Sequence, residues 1–496
     1  MKNPRRVTTI AGIVVILGAS VAHGATFTVT KTVDSFDGVC DSDCSLREAV
    51  QAANANATAD EVILPNGVLR LSIFGATEDA NASGDIDVTQ DITIRGAGAA
   101  LTTVFQDAGD RVFDVVAAGA DVTMRDVTIE GGRSPLDEQG GGIDHPQPGD
   151  LVLERVVMRG NVAVGSSTGY GGGIHKAGGR LVVSDSAVIG NVANGSGFGG
   201  GIFVTMLSTA VTMTNVTIAD NRANQNGGGI FSNNAIAATF VNVTITRNHS
   251  TNGAGGVDGD VGGFRFRSSV VSDNTRTSPG NTDCPLSFAP ASDGGNVGAG
   301  ACGFTLPSDV ATGNAGLEPL TTASVIPVAV PGVGSPALDR AIGPCPATDA
   351  RALPRPQGPA CDAGAAERAV AVPPAPQAEA CTVRGTDGAD LLRGTNGPDV
   401  ICAFGANDVI RALKGDDVVL GGTGNDQVFA GPGADVVFGE AGNDTLDGGT
   451  GRDVLLGGAG RDLLLARDVF ADLLNGGAGR DASRTDRRDT SVSVER

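Results

Sequence analysis

Asp390, Asp399, Asp408, Asp417, Asp426, Asp435, Asp444, Asp453 and Asp462 recur every nine residues, usually with a glycine two positions before and an aliphatic residue two positions after. Carboxylates are hard oxygen donors, and glycine reaches the left-handed backbone that lets a short turn aim its carbonyl oxygens at one point. The cation such a donor set suits is calcium. In the stretch 448–456, six Gly-rich residues read as a turn, and Val454, Leu455 and Leu456 read as a short strand. Eighteen residues complete a two-turn coil, which stacks Asp390, Asp408, Asp426, Asp444 and Asp462 on one edge and Asp399, Asp417, Asp435 and Asp453 on the other. Each ion is then expected between neighbouring turns of one edge. Leu392, Ile401, Ile410, Val419, Val428, Val437, Leu446, Leu455 and Leu464 share the phase and supply the interior. A solvated glycine-rich tail has no reason to keep that phase.

Over residues 384–481 the pattern GGxGxDxUx resembles the nonapeptide repeat of RTX calcium-binding proteins, which implies a calcium-binding parallel β-roll. Some copies depart from it. Ala403-Phe404 and Ala412-Leu413 replace the leading glycines, Ala406 replaces the fourth-position glycine, and one inserted residue moves the next aspartates to Asp472 and Asp481.

Groups for proton transfer are sparse. Beyond the first 24 residues the histidines are His145, His175 and His249, and none belongs to a Ser-x-Gly elbow or an HExxH helix. Tyr170 stands five residues before His175, a spacing similar to that of uronate epimerases and related lyases, but Gly173 occupies the acidic position between them. Asp144-His145 reads as a solvent-facing loop pair, and Asp79, Asp85 and Asp87 as an exposed acidic loop before a strand. No catalytic residue is assigned on this basis. The alternative is a polysaccharide lyase, hydrolase or uronate epimerase carrying a calcium module.

The elements that hold these residues follow from repetition. From Val122 to Asn274 the chain repeats every 26 to 30 residues, in register on Asn161, Asn191, Asn221, Asn248 and Asn274. Ten positions earlier stand Leu151, Leu181, Val211, Ala238 and Phe264; three earlier stand Met158, Val188, Ile218, Ile245 and Val271. Period-two alternation points such columns to one face and repetition stacks them in layers. Corners recur as Gly-Gly-Gly-Ile ending at Ile143, Ile174, Ile202 and Ile230. With no crossover helices, the strands become parallel only by coiling. The fold class is therefore all-β: a right-handed parallel β-helix followed by a calcium-binding parallel β-roll. The Asn column is expected to be a stacked turn ladder, and the sequons at Asn56, Asn81, Asn215 and Asn242 to be coincidental.

Both ends of the long repeat carry further resemblances. The stretch 40–49, CDSDCSLREA, resembles the CSLREA motif of exported bacterial β-helix proteins. Ser45 and Glu48 form a capping box there, and Leu46, Ala49, Val50 and Ala53 give one apolar face, so a short helix is expected to close the first rung. Arg47 and Glu48 are expected to be solvated or cap-forming. Residues 334–367 are similar to the closing choice-of-anchor segment of relatives, in which a surface anchor often follows; here the Pro-rich linker leads into the calcium roll instead, and covalent anchoring is not expected.

Composition bounds the partners. Lys2, Arg5 and Arg6, the apolar run Ile10 to Ala22 and Ala22-His23-Gly24 read as a secretory signal peptide, and the run is shorter than the ~18 apolar residues of a spanning helix. Its removal moves the formal charge from −21 to −24, which excludes nucleic acid as a natural partner. Eight cysteines fall into the neighbour pairs Cys40/Cys44, Cys284/Cys302, Cys345/Cys361 and Cys381/Cys402, and neighbour disulfides suit an exported chain. Trp is absent and Tyr170 is the sole tyrosine, a scarcity that argues against a sugar cleft. The expected organisation is a signal peptide 1–24, a β-helix 25–367, a Pro-rich linker 368–380, a calcium roll 381–481 and a polar tail 482–496. The expected role is a secreted or surface-associated adhesive display scaffold that binds calcium and meets a cell-envelope polysaccharide or a surface receptor, without a transmembrane segment.

Overall fold

The computed structural model describes residues 24–75, 80–205, 210–233, 237–259, 263–280, 282–285, 290–321, 324–357, 360–368, 380–468, 470, 472–485 and 490–492. The apolar N-terminal run, Asp79, residues 369–379 of the linker, and 486–489 and 493–496 of the tail lie outside them.

Aliphatic columns set the register of the first body. Leu151 pairs in parallel with Val122 and Leu181, Leu181 with Val211, Val211 with Ala238, and Ala238 with Phe264. A second sheet stacks Ile86, Phe113, Ile143, Ile174, Ile202, Ile230 and Val257, the last five each following a glycine corner. A third stacks short strands at Val162–Ala163, Val192–Ala193, Arg222–Ala223, His249–Ser250 and Thr275–Arg276. The rungs from Ile143 to Arg276 visit the three sheets in turn and the inward columns are buried, which makes this body a parallel β-helix.

The first sheet departs from simple alternation at one column. Arg155, Asp185, Asn215, Asn242 and Ser268, each six residues before a ladder asparagine, have φ between 47° and 54°. This left-handed residue bends the strand and shifts the inward phase by an odd step, so that Leu153 and Val156 both face the core. Asn215 and Asn242 sit at this bend and are buried, which removes them as glycan acceptors.

The asparagine column forms a ladder with the predicted bonds. Backbone N–H groups of Asn161, Asn191, Asn221 and Asn248 each donate to Oδ1 of the next asparagine at 2.9 to 3.0 Å, and Asn274 donates to Asp283 Oδ1 at 3.0 Å. The amide nitrogens of Asn161, Asn191, Asn221 and Asn248 also donate to that next Oδ1 and to a carbonyl of the previous rung. The glycine corners belong to the same device. A Cβ at Gly173, Gly201 or Gly229 would stand 3.1 to 3.2 Å from the facing asparagine Nδ2 and 2.6 to 2.7 Å from a carbonyl of the next rung.

One α-helix, Leu46–Asn54, appears among the described residues, with both capping-box bonds between Ser45 and Glu48 made. It packs on the first strands of two sheets. Arg47 is not solvated: it is fully buried, paired with Asp34 at 3.0 Å, and donates to the carbonyls of Ser83, Gly84 and Asp85. A guanidinium with five donors reaches several carbonyls at once, which is how the cation is held inside. All four neighbour disulfides are formed.

Residues 335–367 fold back along the β-helix. Ala365 N donates to Thr244 Oγ1 at 2.9 Å, Gly364 N to the Ser268 carbonyl at 2.8 Å, and Asn215 Nδ2 to the Thr348 carbonyl at 2.8 Å.

The second body is a parallel β-roll of two sheets. Val418–Thr423, Val436–Ala441, Val454–Gly460 and Leu473–Gly479 run in one, and Gln427–Pro432, Thr445–Thr450 and Leu463–Leu465 in the other. Ile410, Val419, Val428, Val437, Leu446, Leu455 and Leu464 are fully buried between them.

Candidate calcium centre

Each turn of the roll is the six residues that end on an aspartate. Four residues before it the backbone is left-handed, at Gly422 (φ 99°), Gly431 (113°), Gly449 (91°) and Gly458 (105°), and also at Phe404 (74°), Leu413 (88°) and Glu440 (72°). The fold thus imposes this conformation even where the sequence lacks glycine. Five residues before the aspartate, glycine is needed by the carboxylate itself. A Cβ at Gly421, Gly439, Gly448 or Gly457 would lie within 2.7 Å of Oδ2 of Asp426, Asp444, Asp453 or Asp462. The first glycine therefore makes room for an oxygen, and the second makes the bend.

The two oxygens of each aspartate have different surroundings. Oδ1 accepts the backbone N–H of the aspartate one coil earlier: Asp390 to Asp408 at 2.7 Å, Asp408 to Asp426 at 2.9 Å, Asp426 to Asp444 at 2.8 Å and Asp444 to Asp462 at 2.8 Å on one edge. On the other edge Asp399 bonds Asp417, Asp417 bonds Asp435, and Asp435 bonds Asp453, at 2.8 to 2.9 Å. The inserted residue is absorbed in one long step on each edge, so that Asp472 and Asp481 continue the ladder, accepting from Asp453 at 2.8 Å and Asp462 at 2.9 Å. The sequence carried a signal for them, since Leu474 keeps the inward phase two residues after Asp472.

Oδ2 of Asp408, Asp417, Asp426, Asp435, Asp444, Asp453, Asp462 and Asp481 is buried without a hydrogen-bond partner among the described residues. The first coil is different. Asp390 Oδ2 accepts from Thr386 N at 2.6 Å and Thr386 Oγ1 at 2.9 Å, and Asp399 Oδ2 accepts from Thr395 N and Oγ1 at the same two distances. Burial pushes Asp435 and Asp444 up to about 7 and Asp453 up to about 8. It also raises Asp408, Asp417, Asp426 and Asp462, whereas the Thr395 N–H holds Asp399 below the usual carboxylate range. A column of orphaned carboxylate oxygens calls for protons or for a cation. An oxygen-only donor set suits calcium.

The remaining candidates lie in the β-helix and are buried. Asp85 and Asp87 are 6% and 1% exposed, and Asp144 and His145 are 7% and 0% exposed, so neither is a solvent-facing loop. Both pairs belong to the second sheet's rungs, where stacking covers them. Asp144, Asp114 and His175 share its outward column, and Arg111 joins them: its guanidinium hydrogen-bonds Asp144 Oδ2 at 2.8 Å, Asp114 Oδ2 at 3.0 Å and Glu138, and its Nε stands 3.2 Å from Asp85 Oδ2 as an ion pair. Asp144 Oδ1 lies 2.6 Å from His175 Nδ1. Sequence reading missed this grouping because its members are about 30 residues apart and only the rung stacking unites them.

The roll and its turns define a calcium-binding β-solenoid. The chain matches the family model for the RTX calcium-binding nonapeptide repeat (4 copies) at residues 384–419, 403–437 and 429–464, and calcium is the ligand of these repeats. No curated protein matches the chain. Among solved structures it is similar to the A-module of the mannuronan C-5 epimerase AlgE6 of Azotobacter vinelandii, with 14% identity, 92% of this chain and 96% of that chain covered, and a TM-score of 0.25. It is also similar to the catalytic domain of a GH87 α-1,3-glucanase in complex with tetrasaccharides, with 11% identity, 93% and 68% covered, and a TM-score of 0.17. Likeness at this level carries nothing about activity.

Proposed function

We propose that the chain is an exported, calcium-ordered β-solenoid that serves as an adhesive display scaffold at the cell surface. The observation that carries the reading is the double column of buried, unpartnered Oδ2 atoms from Asp408 to Asp462. Asp408, Asp417, Asp426, Asp435, Asp444, Asp453 and Asp462 hold calcium together with turn carbonyls. At Asp390 and Asp399 a calcium ion has to displace a threonine hydroxyl, so these two bind most weakly.

Calcium concentration then acts as the signal for order. Where the ion is scarce the roll stays loose, and after export it locks. Four disulfides and the signal-peptide-like start support the exported setting. No helix among the described residues is long and apolar enough to cross a membrane. The CSLREA-like cap, the β-helix 25–367 and the linker 368–380 present a long rigid surface ahead of the roll 381–481, and its partner is a cell-envelope polysaccharide or a surface receptor.

The test is calcium titration of the full chain, followed by circular dichroism and calorimetry. A saturable, chelator-reversible gain of β signal is expected. Heat without structural change, or no heat, overturns the reading.

A further inference from the structure

The aromatic residues of this chain are few, yet four of them gather on the outside of the second sheet. Ile174, Ile202 and Ile230 fill the inward column, so the alternate positions His175, Phe203 and Phe231 face outward in register. Tyr170 and Phe198, from the loops leading into these strands, lie against them. Tyr170 stacks on Phe203 with centroids 4.6 Å apart and meets Phe198 edge-on at 5.6 Å, and Phe203 stacks on Phe231 at 5.8 Å. Phe203 and Phe231 are each 3% exposed, and only Tyr170 and Phe198 remain partly exposed. Core packing does not require aromatic rings on outward positions.

His175 adjoins this wall, its ring centroid 5.6 Å from that of Phe203. Asp144, itself held by Arg111, lies at its Nδ1 and fixes the tautomer with the proton on that nitrogen. His175 is 3% exposed and its Nε2 has no hydrogen-bond partner among the described residues. A bare, buried nitrogen lone pair is costly, and a hydroxyl donor fills it. An apolar aromatic wall beside one oriented polar atom is the composition of a small-ligand site. Asp144, Asp114 and Glu138 surround a single guanidinium, so an added carboxylate meets like charge.

We propose that this outer face is a binding site for a neutral oligosaccharide, which stacks a sugar ring on Tyr170 and Phe198 and donates a hydroxyl proton to His175 Nε2. Asp144 and Arg111 are positioning residues. The site is independent of calcium in the roll and makes the β-helix a glycan reader.

The chain itself provides the probe, because Tyr170 is its only tyrosine and it has no tryptophan. Tyrosine fluorescence of the full, calcium-loaded protein is titrated with neutral hexamers of β-1,4-glucose, α-1,4-glucose and β-1,4-N-acetylglucosamine, and with a hexamer of galacturonate. At least one neutral hexamer is expected to give a saturable change, with the uronate weaker by tenfold or more. His175→Phe and, as a milder variant, Asp144→Asn are expected to weaken binding about tenfold, the loss of one hydrogen bond to a buried acceptor, with unchanged circular dichroism. Failure of all three neutral hexamers on the wild-type protein overturns the proposal, as does tighter binding of the uronate. Undiminished binding by a folded His175→Phe or Asp144→Asn protein does so too.

Discussion

An aspartate in the roll does two jobs with two oxygens, and substitution separates them. In Asp435→Asn the amide oxygen still accepts the Asp417 N–H, but the buried Oδ2 becomes a neutral donor. Calcium affinity is expected to fall tenfold or more by calorimetry, while the residual β signal in chelator at pH 8 stays level or rises, because a buried charge has gone. Asp399→Asn, whose Oδ2 already has Thr395, should change calcium affinity little. The shifted carboxyls also set a pH dependence. Asp435, Asp444 and Asp453 rise to about 7, 7 and 8, above the unfolded value of about 3.9, so the folded metal-free roll binds more protons than the unfolded chain. Their contribution is full below the unfolded value and is lost as pH rises through 7 to 8. Stability in chelator should therefore fall between pH 5 and pH 8.5, and millimolar calcium should flatten that fall; a metal-free roll equally stable across this range would contradict the assignment of burial as the cause. At this scale the ladder was legible, because nine copies of one residue in phase leave little choice. The threonine exception was written there too, as Thr386 and Thr395 four residues before their aspartates. It had no meaning until the short Thr-to-Asp bonds were seen.

The rungs of the β-helix depend on a coupling between a side-chain ladder and a glycine corner. Asn221 accepts from the N–H and the amide of Asn191, and Gly201 leaves the room its amide needs. Asn221→Ala removes the one oxygen that accepts from both Asn191 N and Asn191 Nδ2; the amide keeps its bond to the Met158 carbonyl, but the buried backbone N–H is left unpaired, and the change is expected to cost about 2 kcal/mol. Gly201→Ala places a methyl 2.7 Å from the Gly229 carbonyl and should destabilise by a similar amount. Urea unfolding monitored at the β signal measures both. If the two changes combined cost no more than either alone, ladder and corner act as one unit. Columns and corners were readable because each repeats in type as well as in place. The bend at Arg155, Asp185, Asn215, Asn242 and Ser268 was not, because its requirement is conformational and unlike side chains meet it. The fold-back of residues 335–367 was likewise hidden, since its contacts reach about 120 residues up the chain.

The two bodies use the same backbone bond along their ladders and differ in the residue that completes it. In the β-helix the bond runs from an asparagine N–H to the next asparagine Oδ1, and the second atom of the amide is a donor that finds a carbonyl. In the roll it runs from an aspartate N–H to the next aspartate Oδ1, and the second atom is a charged acceptor with nothing to accept from. Asparagine makes a ladder complete in itself, whereas aspartate makes one that waits for a cation. Order in the two bodies should therefore separate by calcium alone. In limited proteolysis of the full chain, the β-helix should survive in chelator as in calcium, helped by Cys40–Cys44, Cys284–Cys302 and Cys345–Cys361. The roll should be cut only in chelator, with cleavage beginning after Cys402, because Cys381–Cys402, Thr386 and Thr395 close the first coil without the ion. Mass spectrometry of the fragments decides it. Cuts spread through both bodies in chelator would mean that the whole solenoid depends on calcium, and protection of the roll without calcium would mean that the aspartate ladder is satisfied by protons.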